Sequence, residues 1–405
     1  MEDLIFSVAF DETRYEVGLA PISIVSDDFN GDENLDLVVA NFGGSEVSFL
    51  SGDGNGNFSD STAITVGLAP TAVRAGDFNG DGNSDLAVAN GFDNNVSVLL
   101  GDGSGLFDDP VNFPVGNFPA SLQIGDLNND GQLDLAVANF GGGGELEDLG
   151  GEGVSILIGD GLGGFEPLPE IFFEDGAFDL TIGDFNEDEN EDLVVVNSLS
   201  DDISILFGIG DGTFEEPTNL PAGDRPDGIN AGDFHLDFHL DFVVANADDA
   251  DVSIFAGDGT GSFTRTDFPV GELPTEIGIG DFDDDGNPDL AVANFFGNSA
   301  SILRGNGSGN FNNRNDLPVG TPARAIATGD FNEDENLDLV VAIFGEEAEP
   351  ANEISVFLNT GELINTGLLI KGTQDNETLV GGADNDRILA VWVMTLSTAK
   401  TATMC

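Results

Sequence analysis

The chain has 405 residues and carries 76 acidic side chains against 10 Lys plus Arg, a formal net charge of −66. That surplus excludes nucleic-acid binding through a basic groove and disfavours docking on anionic membranes. High charge can mean disorder, but 40% of the residues are apolar and fall in short orderly runs, which predicts a packed core.

From the N-terminus, MEDLIFSVAF holds acidic residues and no basic region, so no cleavable Sec signal is expected. No apolar run reaches transmembrane length. FDETRYEVGLAP (Phe10 to Pro21) reads as a strand leading to Val-Gly and a proline. An acidic ten-residue stretch then starts at Asp28 and recurs at Asp77, Asp126, Asp184, Asp233, Asp281 and Asp330. Before each stretch lies a short apolar segment, as in PTAVRAGD (Pro70 to Asp77). After it comes a run such as LAVAN (Leu86 to Asn90). Six of these runs end in Asn (Asn41, Asn90, Asn139, Asn197, Asn246 and Asn294), the seventh at Ile343. An alternating strand follows, such as VSVLL (Val96 to Leu100), then a Gly-rich turn ending on Phe, as at Phe58, Phe107 and Phe263. A fourth strand returns to Val-Gly and a proline, as in VGELP (Val270 to Pro274). All four segments are short, β-rich and bounded by turn residues, with no amphipathic helical period.

Four strands per unit and seven units predict an all-β chain: a seven-bladed β-propeller of four-stranded antiparallel blades spanning 1–361. A parallel β-helix would repeat at shorter spacing, and independent β-domains would need more chain to bury a core. The last unit ends on a third strand, ISVFLNTG (Ile354 to Gly361). The N-terminal strand, Phe10 to Gly18, is therefore expected to close the ring at its outer edge. The long insertion Gly141 to Gly153 is expected between the second and third strands of its blade.

Alternate positions of each acidic stretch carry oxygen donors. The first three sets are Asp28, Asn30, Asp32, Asn34, Asp36; then Asp77, Asn79, Asp81, Asn83, Asp85; then Asp126, Asn128, Asp130, Gln132, Asp134. The next two are Asp184, Asn186, Asp188, Asn190, Asp192 and Asp233, His235, Asp237, His239, Asp241. The last two are Asp281, Asp283, Asp285, Asn287, Asp289 and Asp330, Asn332, Asp334, Asn336, Asp338. Hard oxygens crowded into one turn suit Ca²⁺, which takes six to eight of them in flexible geometry, better than octahedral Mg²⁺. Several like charges within nine residues also repel unless a cation sits among them. The alternative is an Asx-rich hairpin turn, for which Asp-Gly and Asn-Gly are ordinary signals. Seven copies in one register favour calcium.

These units resemble FG-GAP/VCBS repeats, as in the integrin α-chain head and many secreted bacterial proteins. The acidic loop, the Gly-turn-Phe and the Val-Gly-Pro recur together over residues 6 to 360. The resemblance implies a seven-bladed propeller with about six to seven Ca²⁺ in the hairpins between first and second strands. It implies side-chain ligation from positions 1, 3, 5 and 9 and a backbone carbonyl from position 7, so Gln132 is harmless there.

The fifth copy, DFHLDFHLDF, departs from the pattern. Leu236 and Phe238 replace its glycines, and His235 and His239 are the only histidines of the chain. One reading is a zinc or copper site, since alternate residues share a strand face. The other is a relaxed loop that binds calcium weakly. Residues 362–405 read differently again. IKGTQDNETLVGGADNDRI (Ile370 to Ile388) resembles the hemolysin-type RTX calcium repeat. After Leu389 acids and glycines stop, and read one base out of frame the remaining stretch continues that repeat, which points to a frameshift.

These readings together predict a secreted or cell-surface, monomeric, calcium-stabilised adhesion or interaction scaffold with a protein or glycan partner. No insertion into a membrane is expected. The single cysteine, Cys405, allows no internal disulfide. With both histidines inside one loop, Ser-His or Cys-His catalysis has no base, so no enzyme is expected. A lectin-like propeller is the alternative. Sugar sites favour Trp or Tyr, however, and the chain has only Trp392 and Tyr15, while its 32 Phe recur at repeat positions and read as core.

Overall fold

The computed structural model describes residues 6–141, 153–172, 176–311, 313–319, 322–346 and 349–365. They form seven antiparallel sheets. Blade one holds Pro21–Asp27, Asp36–Asn41, Glu46–Leu50 and Thr62–Thr65, and blade two Pro70–Gly76, Asp85–Asn90, Asn95–Leu99 and Val111–Pro114. The same order repeats in blade four (Ala177–Gly183 to Thr218–Pro221), blade five (Pro226–Gly232 to Phe263–Pro269) and blade six (Pro274–Gly280 to Asn313–Pro318). First strands touch one another in sequence around the ring, and Pro21–Asp27 meets Ala323–Gly329 to complete it. They therefore line a central channel. The acidic loops connect first to second strands and ring one face. The second-to-third and fourth-to-first connections form the other.

The second strand of each of the first six blades is buried along its whole length. Runs such as Leu86-Ala87-Val88-Ala89 are apolar on both sides because each sheet packs against a neighbour on each face. The terminal Asn has a structural reason. Its Nδ2 donates to the Ser two residues into the third strand: Asn41 to Ser48 at 2.9 Å, Asn90 to Ser97 at 2.8 Å, Asn246 to Ser253 at 2.7 Å. The glycine of the Val-Gly pair lies directly over this amide. A Cβ on Gly67 would stand 2.6 Å from Asn90 Cγ, and one on Gly18 2.3 Å from Asn41 Nδ2. Blade seven has Ile343 in place of the Asn; its Ser355 donates to Glu12 on the outer strand at 3.0 Å, as Ser97 donates to Asn112 in blade two.

Blade seven consists of Ala323–Gly329, Asp338–Glu346 and Glu349–Asn365, with Phe6–Glu16 as its outer strand. The N-terminal strand closes the ring as the unit count requires, in the register Phe10↔Asn359, Tyr15↔Ile354 and Glu16↔Glu353. Tyr15 packs edge-on against Phe58 of blade one at 5.6 Å, and Arg14 donates to Val319 O at 2.8 Å. Blade three carries the insertion between Asp134–Asn139 and Gly153–Gly159. Its fourth strand is split into Phe165–Pro167 and Ile171–Phe172, both paired to Gly153–Gly159. Pro167 and Pro169 remove ladder donors at the break. The RTX-like stretch and the frameshift reading lie outside the described residues. Among the described residues no helix is long and apolar enough to cross a membrane.

Deleting residues 1–16 should expose the edge of Glu349–Asn365, lower the melting temperature and produce concentration-dependent association through that edge. An unchanged thermal melt with a monomeric sedimentation profile would contradict ring closure by this strand.

Candidate metal centres

Each acidic stretch folds as a set of nested Asx turns. In loop two, Asp77 Oδ1 accepts from Gly80 N at 2.7 Å and Asp81 N at 3.2 Å, and its Oδ2 from Gly82 N at 2.9 Å. Asn79 Oδ1 accepts from Asp81 N at 2.8 Å, and Asp81 Oδ1 from Asn83 N at 2.9 Å. The same bonds draw Asp28, Asn30 and Asp32 together in loop one, Asp126, Asn128 and Asp130 in loop three, and Asp184, Asn186 and Asp188 in loop four. Loop seven repeats them with Asp330, Asn332 and Asp334. Sharp turning is met by left-handed backbone at two points, Gly80 and Gly82 in loop two and Glu333 and Glu335 in loop seven. The donor set is entirely oxygen in six of the seven loops. Carboxylate oxygens have further lone pairs beyond these bonds, so the residues fit a hard dication. Asn34, Asn83, Gln132, Asn190, Asn287 and Asn336 close the turn at position 7.

Position 9 has a second task. Asp36, Asp85, Asp134, Asp192, Asp241, Asp289 and Asp338 are fully buried. One oxygen of Asp85 accepts from Phe78 N at 2.9 Å, within its own loop, and the other from Gly101 N at 2.8 Å, just past the third strand. All seven copies make this pair of bonds; in blade seven Asn359 N at 2.7 Å is the second donor. Burial raises Asp36, Asp85, Asp134, Asp192, Asp289 and Asp338 despite the donors, with the like charges at positions 1 and 5 adding to the rise. Asp36, Asp134, Asp192 and Asp338 are held at about 6 and Asp289 at about 7, and Asp85 is raised as well.

The loops also sit in the seams between blades. In blades one to four and six, the glycine two residues before the turn's Phe reaches the preceding blade's loop: Gly105 N donates to Phe29 O at 3.0 Å, Gly163 N to Phe78 O at 2.9 Å, and Gly56 N to Phe331 O at 2.9 Å. Gly105 has φ of 79° and a Cβ there would lie 3.1 Å from the Phe49 ring. The phenylalanine ending the turn packs on one at position 2 of the preceding loop in five blades, as with Phe107 on Phe29 at 5.8 Å, Phe165 on Phe78 at 5.6 Å and Phe311 on Phe234 at 5.8 Å; loop three has Leu127 there. A cation held in one loop would thus stiffen the junction of two blades.

Loops five and six differ. His235 Nδ1 lies 2.8 Å from Asp241, and His239 Nδ1 2.5 Å from Glu187 of loop four. The hydrogen bond to Glu187 raises the His239 pKa. Each ring is thus bound to a different carboxylate, while Asp233 and Asp237 keep the usual turn. Among the described residues, only Asp281, Asp283 and Asp285 of loop six bring three such ligand atoms within 4.8 Å of one another. Asp283 replaces the usual Asn, and Arg304 at the end of the third strand pairs with it. Leu100 and Ile158 hold that place in blades two and three. Sequence reading passed over Arg304, although it is the one basic residue at this repeat position.

The phenylalanines are not all core. On the face opposite the acidic loops, Phe42, Phe140 and Phe295 directly follow the end of a second strand, Phe92 follows one residue later, and Phe344 takes the same repeat position within the longer strand Asp338–Glu346. Phe118 and Phe178 join them, with ring centroids 5.7 Å apart for Phe42–Phe92 and 5.4 Å for Phe140–Phe178. Phe92 is 65% and Phe296 61% exposed. Their expected core role holds for Phe29, Phe185 and Phe234, which are buried, and fails for this collar. Their signal was their place in the repeat, at the strand ends farthest from the acidic loops.

Asp85→Asn keeps the shape but turns an amide N–H₂ toward a backbone donor, so a loss of about 2–4 kcal/mol is expected in denaturant melts. The raised position-9 carboxyls favour the folded state while protonated and lose that contribution as pH rises through 6 to 7. Chelator-treated protein should therefore melt higher at pH 5 than at pH 8.

Residues 28–88, 77–137, 184–244, 233–292 and 281–341 each match the profile of an FG-GAP-like repeat. No curated protein matches the chain. Among solved structures, BBS1N, crystallised in complex with ARL6DN, aligns with a TM-score of 0.61 at 12% identity, over 87% of this chain and 97% of that one. A catalytically inactive virginiamycin B lyase from Staphylococcus aureus, solved with quinupristin, aligns at 0.57 with 12% identity, over 86% and 99%. A functionally unknown protein from Desulfotomaculum acetoxidans aligns at 0.53 with 15% identity, over 76% and 88%. At such identities the likeness is one of fold alone. The matched repeats each begin on an acidic loop and run through the next one or close to it, and the chain belongs to the FG-GAP-like repeat family.

Proposed function

We propose that this protein is a calcium-binding, calcium-stabilised interaction scaffold that works in adhesion outside the cell and has no catalytic role. The observation that carries the reading is the repetition of one turn, lined wholly by oxygen in six of its seven copies and bonded in five of them to the next blade across a seam. Repetition at a structural joint suits a metal that holds the ring rather than one that performs chemistry. Extracellular calcium, at millimolar level, would fill even weak loops, whereas cytosolic calcium would not. The RTX-like stretch near the C-terminus, if it folds as such repeats do, would add calcium to the same protein. The propeller then offers its second face, which lacks the repeated ten-residue stretches, to a partner.

Calcium that binds only the folded state stabilises it by RT ln(1 + [L]/Kd), about 2.7 kcal/mol per site at a hundredfold excess. Chelation should lower the melting temperature sharply at pH 7.5, and equilibrium dialysis should count about six ions. Two or fewer would refute the reading. Asp81→Ala should remove one ion and cost about 1–3 kcal/mol. His235→Asn combined with His239→Asn should raise calcium affinity at loop five. Release of zinc or copper from the unaltered protein would instead make that loop a transition-metal site.

A further inference from the structure

The channel opens on the phenylalanine face into a cavity of about 440 Å³, within the roughly 300–1,000 Å³ range of small-molecule sites. A deeper cavity of about 220 Å³ shares Phe42, Phe178, Asp227 and Arg324 with it. Rings from five blades wall the mouth: Phe42, Phe140, Phe178, Phe295 and Phe344. Its polar lining is Ser198, Arg225, Asp227 and Arg324, and the deeper cavity adds Arg74, Asp179 and Glu276. Arg324 Nη1 pairs with Asp227 Oδ1, and Arg225 Nη2 reaches away to Asp248 Oδ1, both at 3.2 Å. Arg225 Nε is buried there with no hydrogen-bond partner. The chain has 10 basic residues in all, so two at one opening is a concentration of scarce donors.

This combination is selective. A charged ligand competing for Arg324 would have to part it from Asp227, and breaking this part-buried pair leaves a charge poorly solvated. A wholly apolar group would seal Arg225 Nε away without an acceptor. The fitting ligand is uncharged, has an apolar face for the rings and carries several hydroxyl or amide oxygens for the guanidinium and carboxylate groups. We propose that the channel mouth is a binding site for a neutral sugar ring, a terminal hexose or N-acetylhexosamine, gripped between the phenylalanine collar and the Arg225 and Arg324 ion pairs. The proposal rests on the scaffold reading for a partner and gives that partner a chemical class. It does not use the calcium loops.

The test is a glycan array followed by saturation-transfer NMR with methyl glycosides of neutral hexoses and N-acetylhexosamines, run in calcium beside glucosamine and sialic acid. A neutral glycoside should bind, with affinity changing less than about twofold between low and high salt, because no net charge is exchanged. Arg225→Gln and Phe178→Leu should each weaken it about tenfold, equivalent to 1.4 kcal/mol, with the melting temperature and calcium count retained. Leu162→Ser, on an exposed turn of the acidic face, should leave binding unchanged. Should Phe178→Leu disturb folding, Arg225→Gln alone decides, since that side chain is already 43% exposed. The proposal is overturned if folded, calcium-loaded protein binds no glycoside, binds only the charged sugars, binds apolar peptides at this face instead, or binds equally well after both substitutions. Sugar binding without calcium binding would leave this site standing and remove the calcium reading.

Discussion

One hydrogen-bonded group organises every blade: the buried aspartate that ends the acidic loop. Its two oxygens take up a backbone N–H from the start of the hairpin and another from beyond the third strand. It therefore fixes the turn, the start of the second strand and the exit of the third strand at once. A buried carboxylate of this kind is tolerable only because both oxygens are satisfied. Losing either donor, or the acceptor, leaves a polar group stranded in a core where second strands have no exposed face.

From that clasp the geometry propagates outward. With the loop fixed, its position-2 phenylalanine points into the seam, where the next blade's Gly-turn donates to its carbonyl and stacks a second ring upon it. Blade-to-blade contact is thus tied to the same ten residues that gather the oxygens. Stability in such a ring is nearest-neighbour in character, so perturbing one loop loosens two blades and leaves the others intact. Closure by Phe6–Glu16 joins the first blade's neighbour to the last strand, and the whole becomes one cooperative ring.

The two faces have divided their chemistry accordingly. Carboxylates and amides crowd one side, gathered by nested Asx turns. The other side has phenylalanines and a few paired arginines. Loops six and seven show how the pattern tolerates change: an extra aspartate at Asp283 is met by Arg304, and glutamates replace glycines at left-handed positions in loop seven. Loop five keeps its turn while its histidines find carboxylate partners.

Period and polarity alone were enough to read the propeller. Strand count, blade number, the face that carries the acidic loops and the need for an N-terminal closing strand all follow from repeat spacing, because each unit must bury its strands against identical neighbours. The candidate ligands at positions 1, 3 and 5 were legible for the same reason, since a local turn depends on local residues. What lay beyond the sequence was everything set by contact between distant segments. Position 9 read as one more metal ligand, and only packing made it a clasp for Gly101 and its counterparts. Arg304 and Asp283 stand apart in sequence and meet across a sheet. The phenylalanines after the second strands looked like their buried repeat-mates. Seven connections brought to one end of a ring turned them into a collar around the Arg324–Asp227 pair, whose partners come from blades seven and five, an arrangement that closure of the ring creates and no single repeat contains.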